Sequence, residues 1–206
     1  MREKKGNMLT AYEMAYDERG EVSKHYADWA KSYDADTADY GYVGPASAVQ
    51  ELAKHLEDRQ ASVLDIGCGT GLVGVALAEM GFSCIDGTDL SEEMIEVCRG
   101  KQCYRHLQRD DLLVGIDLPE GSHDAVICVG TFGPLGTDVL PNALRQVRSG
   151  GIACISVNEI FLAKQDFAAA FDALCKTEEW HLVSQGMFPH LTEGGHEALI
   201  TVLGRT

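Results

Sequence analysis

No apolar run in this 206-residue chain approaches the ~18 residues that suggest a membrane span. The first twenty residues, MREKKGNMLTAYEMAYDERG, lack the apolar core of a secretion signal. Basic residues are scarce. Lys plus Arg number 17 against 32 Asp plus Glu, a formal net charge of −15. A nucleic-acid binder usually presents a clustered basic face, and the single cluster here is Arg2, Lys4 and Lys5 at the N-terminus. The overall charge repels phosphate backbones and anionic membranes, so neither nucleic acid nor membrane is expected as a partner. The seven cysteines are odd in number and form no CxxC, which signals neither a zinc site nor a disulfide framework. No metal is expected, and the compartment reads as reducing and cytoplasmic. There is no repeat, low-complexity tract or Pro/Gly/Ser linker, so residues 1–206 read as one domain. The charge supports solubility but does not fix an oligomeric state.

What is present is an alternation. Residues 1–22 are polar, and residues 23–34 follow with Tyr26, Trp29 and Tyr33 at helical spacing. Pro45 can open a second helix with Val49, Leu52, Ala53 and Leu56 along one side. Strand-like runs at 62–66, 82–88, 103–108, 124–129 and 152–157 then alternate with helical runs at 71–80, 91–99, 139–148 and 162–176. Ser91 stands where it caps the helix over 91–99, with acidic residues in the first turn. Strands at 180–188 and 197–203 end the chain without a helix between them. The order predicts an α/β three-layer sandwich: a seven-stranded, mostly parallel sheet with helices on both faces. The last two strands form an antiparallel hairpin at one edge.

The most informative stretch is VLDIGCGTGLVG, residues 63–74. An apolar strand runs straight into Gly67, Gly69, Gly71 and Gly74. Counted from Gly69 the spacing is GxGxxG, a dinucleotide fingerprint, with an acid, Asp89, eighteen residues beyond Gly71. A carboxylate there can accept ribose hydroxyls, and the bare pattern therefore allows a nicotinamide-dependent oxidoreductase. Two observations count against it. The loop begins at Gly67, which makes Asp65 part of the motif. An acid beside the loop repels a pyrophosphate and favours a ligand with an ammonium group. Nor does a paired acid and base for hydride transfer follow downstream. An adenosine with an amino-acid tail, S-adenosylmethionine, fits better.

VLDIGCGTG (63–71), GTDLSEEMIEVC (87–98), RDDL (109–112), DAVICVGTF (124–132) and VRSGGIACISV (147–157) together resemble the class I S-adenosylmethionine-dependent methyltransferases. Their order and spacing span about residues 24–157. YADWAKSYDADT (26–37) and GYVGP (41–45) carry a finer resemblance, to the methyltransferase-like proteins named after the Williams-Beuren syndrome region. The resemblance implies a Rossmann-like sandwich with residues 1–45 as a helical lid. It implies Gly67, Cys68 and Gly69 around the methionine part of the cofactor, and Asp65 holding or orienting the ammonium. Asp89 takes the ribose hydroxyls, Leu90 and Met94 flank the adenine, and Asp111 with the Leu112 amide reads its edge. Asp110 is the alternative acid. Tyr33 reaches the cofactor carboxylate, with Trp29 and Tyr42 as further lid candidates. Gly74 reads as a helix–sheet packing position.

The methyl acceptor is expected past the fourth and fifth strands, near Gly130, Thr131 and Phe132, following the rule that ligands of such sheets bind beyond the carboxyl ends of strands. The GTFGPLG segment lacks the Asn/Asp-Pro-Pro-aromatic tetrapeptide of the family's DNA and amide methylases. The histidines, His25, His55, His106, His123, His181, His190 and His196, are scattered. His123 precedes a strand, at the wrong end of the sheet for catalysis. His190 and His196 fall in the loop of the terminal hairpin. All seven read as structural or exposed, and no catalytic base is assigned. The reading is methyl transfer from S-adenosylmethionine to a small molecule, less readily to a protein. A binding or sensing module that transfers nothing is the alternative.

Overall fold

The computed structural model describes residues 19–206. The basic cluster at Arg2–Lys5 and the first part of the expected lid lie outside the described residues. Helices α1 (Arg19–Trp29), α2 (Tyr33–Asp39) and α3 (Gly44–His55) precede the alternating part. There follow β1 (Val63–Ile66), α4 (Leu72–Glu79), β2 (Ile85–Asp89), α5 (Glu92–Arg99), β3 (His106–Arg109) and β4 (His123–Val129). Next come α6 (Phe132–Leu135), α7 (Leu140–Leu144), β5 (Val147–Asn158), α8 (Glu159–Leu162), α9 (Phe167–Cys175), β6 (Trp180–Leu191) and β7 (His196–Arg205).

The seven strands form one sheet in the order β3-β2-β1-β4-β5-β7-β6. β1 to β5 pair in parallel, and β7 runs antiparallel to both β5 and β6. The expected seven-stranded sheet with its C-terminal hairpin is therefore present. Helices cover both faces, so the central strands carry near-continuous apolar runs. Successive residues of β4 feed opposite cores: Val126 and Cys128 face one, Ala125, Ile127 and Val129 the other. Leu64, Ile66, Ile85, Ile127 and Ile155 are wholly buried, each worth roughly 1.5–3 kcal/mol by area. On β1, Leu64 and Ile66 join the first core and Val63 the second. By alternation, Asp65 points to the α4 side.

Three helices differ from the sequence expectation, each for a local reason. The run expected over 23–34 divides into α1 and α2. The buried carboxylate of Asp36 accepts from Trp29 Nε1 at 2.8 Å and Ser32 Oγ at 2.8 Å, which folds the two helices together. The helix expected over 162–176 begins at Phe167, because the Asp166 side chain caps it by accepting from Ala169 N at 2.9 Å. The helix expected over 139–148 ends at Leu144, since β5 already starts at Val147. The Ser91 cap is present, accepting from Met94 N at 3.3 Å.

Candidate functional site

β1 delivers the chain into the glycine turn at the carboxyl edge of the sheet. Gly67 has φ +72° and Gly69 φ +53°, the left-handed region that only glycine enters without strain. A Cβ on Gly67 would stand 2.1 Å from Thr131 Oγ1, whereas one on Gly69 would meet nothing within 4 Å. The loop is thus tight against β4 on one side and open on the other. The Gly67 and Cys68 amides both donate to Thr88 O, at 2.8 and 2.9 Å, which ties the turn to β2.

The open side is a cavity across the carboxyl ends of β1, β2, β4 and β5. Ile66, Gly67, Gly69, Asp89, Leu90, Met94, Asp111 and Leu112 line it, with Gly130 and Thr131 opposite. Tyr26, Trp29, Tyr33 and Tyr42 line it from the N-terminal helices and the turn before α3. The structure therefore brings Tyr33, Gly67, Gly69, Asp89, Leu90, Met94, Asp111 and Leu112 together. Asp65 and Cys68 are not among the lining residues.

Asp89 sits at the junction. Its Oδ2 accepts from Gly69 N at 2.8 Å and its Oδ1 from Ser91 N at 2.9 Å. Burial raises its carboxyl above the ordinary range, and the amides of Ser91, Gly69 and Leu90 pull it back. Burial together with the Asp89 charge pushes the Tyr26 phenol up to about 12. Asp110 commits both oxygens to its own loop, one to Gln108 Nε2 at 2.6 Å and one to Asp117 N at 3.3 Å. Asp111 commits Oδ1 to Leu113 N at 2.9 Å.

Asp65 lies behind the loop, wholly buried. Its Oδ2 accepts from the Tyr104 hydroxyl at 2.6 Å, and that hydroxyl accepts from Gly74 N at 2.9 Å. Asp65 Oδ1 is buried without a hydrogen-bond partner. Burial pushes the carboxyl up to about 7; the Tyr104 hydrogen bond opposes this and the Asp89 charge adds to it. Tyr104 is a residue that the sequence reading missed. Its ring occupies the space above Gly74 and Gly87, where a Cβ would lie 2.2 and 2.9 Å from it. Gly74 is a packing position as expected, and what it packs is this phenol. Cys68 is buried, and the neighbouring Cys98 thiol and burial raise it well above the ordinary thiol range.

α2 is tied to the glycine loop. Asp34 on α2 accepts from Thr70 Oγ1 at 2.6 Å and pairs with Lys101 Nζ at 2.8 Å. His123 is placed as expected at the start of β4, 3.1 Å from Asp86. His190 is not. It lies in β6 rather than in the hairpin loop, it is buried, and it lines the cavity beside Tyr42, Asn158 and Phe161. Burial pushes its imidazole down to about 4; the His196 charge adds to that and Glu159 opposes it.

The residues present fit S-adenosylmethionine, a ligand with a sulfonium, an ammonium and two ribose hydroxyls. An unpartnered buried carboxylate oxygen stands behind the loop, three acids line the cavity, and no Lys or Arg does among the described residues. A pyrophosphate finds no counter-charge there. Among the described residues no cluster of His, Cys, Asp and Glu is placed to hold a metal ion, and no helix is long and apolar enough to cross a membrane.

A methyltransferase domain family matches residues 63–151. Methyltransferase-like protein 27 of Homo sapiens is 32% identical over 165 residues, covering 76% of this chain and 67% of that protein. Ribosomal protein L11 methyltransferase of Pseudomonas paraeruginosa is 26% identical over 129 residues, covering 59% of this chain but 44% of that protein. The magnesium protoporphyrin IX methyltransferase of Synechocystis, solved with S-adenosylmethionine bound, superposes with a TM-score of 0.62 at 20% identity, covering 80% of this chain and 81% of that one. Fold, loop geometry and relatives agree, and the chain belongs to the class I S-adenosylmethionine-dependent methyltransferases, with S-adenosylmethionine as its cofactor.

Proposed function

We propose that this chain methylates a small-molecule acceptor rather than a protein or nucleic acid. The observation that carries this reading is the aromatic wall. Tyr26, Trp29, Tyr33 and Tyr42 line the cavity, and α1 and α2 are fixed to each other through Asp36. A concave site walled by aromatic side chains suits a compact acceptor. The absence of Lys and Arg from the described lining and the net charge of −15 weigh against nucleic acid. Seven free thiols suit a reducing compartment, and we place the chain in the cytoplasm.

The cofactor, when bound, supplies an electrophilic methyl group on a sulfonium sulfur. The chain's own residues orient and enclose. In our reading Asp89 takes the ribose hydroxyls, Leu90 and Met94 flank the adenine, and Asp111 with the Leu112 amide meets its edge. The backbone of Gly67, Cys68 and Gly69 follows the methionine part, with Tyr33 reaching its carboxylate. Asp65 acts from behind the loop through its charge. The remaining barrier is chiefly one of alignment, for which a rigid, water-excluding site serves best.

Tritiated S-adenosylmethionine incubated with the protein and a cell extract checks the acceptor class. Label is expected in the small-molecule fraction. Label confined to protein or nucleic acid would overturn the reading.

We further read residues 1–45, of which 19–45 are described, as a lid that opens for cofactor exchange. Amide hydrogens of residues 24–40 are expected to exchange about tenfold more slowly with S-adenosylmethionine bound, since local opening sets their rate. Asp34→Ala removes the latch to Thr70 and Lys101 and should speed exchange in the free protein. Equal rates with and without cofactor would refute the lid.

A further inference from the structure

We propose that His190 takes the acceptor's proton during methyl transfer, and that the acceptor is an uncharged phenol. This inference rests on the small-molecule reading above. Its starting point is a break in strand pairing. In the β6–β7 hairpin Pro189 stands opposite Glu197 and Leu191 opposite His196, leaving His190 as the extra residue of a bulge. Bulges are over-represented next to active sites. The even-numbered residues Ser184, Gly186 and Phe188 are the more buried ones of β6 and His190, in the same alternation, is buried with them; after the bulge Leu191 is buried as well.

The surroundings are built for this ring. A Cβ on Gly44 would stand 2.7 Å from His190 Nδ1, so the helix α3 begins with the one residue that leaves room. Val43 N donates to His190 O at 3.0 Å and Ser47 Oγ to Pro189 O at 2.8 Å, which pins the bulge to α3. The Tyr42 ring meets the imidazole edge-on, with centroids 5.0 Å apart. The charged groups nearest to it are His196 on β7 and Glu159 on α8, paired at 2.6 Å.

His190 is the one imidazole lining the cavity among the described residues, and it lies on the β4–β5 side, away from Asp89 and Asp111. Its neighbours there are Tyr42, Phe161 and Leu135, flat or apolar walls that suit an aromatic ring. Among the described residues no lining cation meets a carboxylate or phosphate, and a protonated amine has no electron pair to give. A neutral hydroxyl has the pair but is a weak nucleophile until its proton leaves. The balance is complete: the oxygen–carbon bond forms as the carbon–sulfur bond breaks, the sulfur keeps that bond's electrons, and the phenolic proton passes to the imidazole. Burial keeps the imidazole unprotonated at physiological pH, with its electron pair in place, although the same burial makes it a weaker base than a solvated imidazole.

The test uses phenol and 4-nitrophenol as probes at pH 8, with wild type and His190→Gln. Phenol, with a pKa near that of tyrosine, about 10, arrives protonated; 4-nitrophenol arrives mostly ionised. The variant is expected to methylate phenol roughly 100-fold more slowly, the usual scale of a lost general base. Toward 4-nitrophenol the loss should be less than about fivefold, because an ionised acceptor needs no base. Equal losses on both probes, or none, would overturn the role of His190. A wild type that labels other small molecules but neither phenol would overturn the acceptor class and leave the proposed function standing; one that labels no small molecule at all removes the reading beneath it. Independently of turnover, phenol added to the wild-type protein loaded with S-adenosylhomocysteine should shift the His190 imidazole resonances in NMR spectra. An unmoved imidazole would overturn the proposal even if the variant fails to fold.

Discussion

Asp89→Ala is expected to bind S-adenosylmethionine roughly 10- to 150-fold more weakly than wild type in a calorimetric titration, a loss of about 1.5–3 kcal/mol for hydrogen bonds to a charged group. The structure gives two reasons for the size. The first is the proposed pairing with both ribose hydroxyls. The second is internal: the same carboxylate holds Gly69 N at 2.8 Å and Ser91 N at 2.9 Å. Truncation therefore frees the turn that follows β1 and the cap region of α5 together. Asp89→Asn keeps one carbonyl oxygen for one amide but sets an amide nitrogen against the other donor, so an intermediate loss is expected. Wild-type affinity in the alanine variant would mean that the ribose is held elsewhere in the cavity. A loss shared equally by S-adenosylmethionine and S-adenosylhomocysteine is expected, because the ribose is common to both.

The glycine turn was legible because its causes are local. An apolar β1 and glycines at positive φ write themselves into VLDIGCGTGLVG, and Asp89, Leu90 and Met94 follow at short, fixed spacing. What escaped depends on contacts between distant segments. Tyr104 meets Asp65 across 39 positions of sequence, and nothing in its own neighbourhood marks it. A signal did exist in its partners: Gly74 inside a helix and Gly87 inside a strand are positions where glycine usually records a close approach. The strand-like run over 180–188 stops short of His190, which leaves it in the hairpin loop. β6 nevertheless runs through it as an edge strand, in which His190 falls on the same face as Ser184, Gly186 and Phe188, and the bulge that follows arises from pairing with β7, which no single-strand pattern contains. The division of α1 from α2 likewise comes from Asp36, whose acceptor role is set by the burial of Trp29. Asp65 stands in the DxGxGxG register, but the alternation of β1 sends it to the α4 side, behind the loop rather than into the cavity lining.

Asp65→Asn should make the ligand-free protein more stable than wild type at pH 8 and leave the two nearly equal at pH 4. In the folded protein burial raises this carboxyl from 3.8 to about 7, so between those values the folded state holds a proton that the unfolded state has released. Stability then falls as pH rises through that window. Below it both states are protonated and the full stability is present; above it both are ionised and the buried charge counts against folding. About three units at 1.36 kcal/mol each amount to roughly 4 kcal/mol. Asparagine keeps an oxygen for the Tyr104 hydroxyl and carries no charge, so urea unfolding of the two proteins at several pH values isolates this one group. Parallel profiles from pH 4 to pH 8 would show that Asp65 is not held protonated. The same reasoning reaches the cofactor. A cation brought near the loop favours the ionised carboxylate, so binding by wild type should tighten as pH rises toward 8 and release a proton below it, while the asparagine variant shows neither. An acid that weakens the empty protein and is relieved by a cationic ligand is an expected compromise at a binding site, where local stability is given up for recognition.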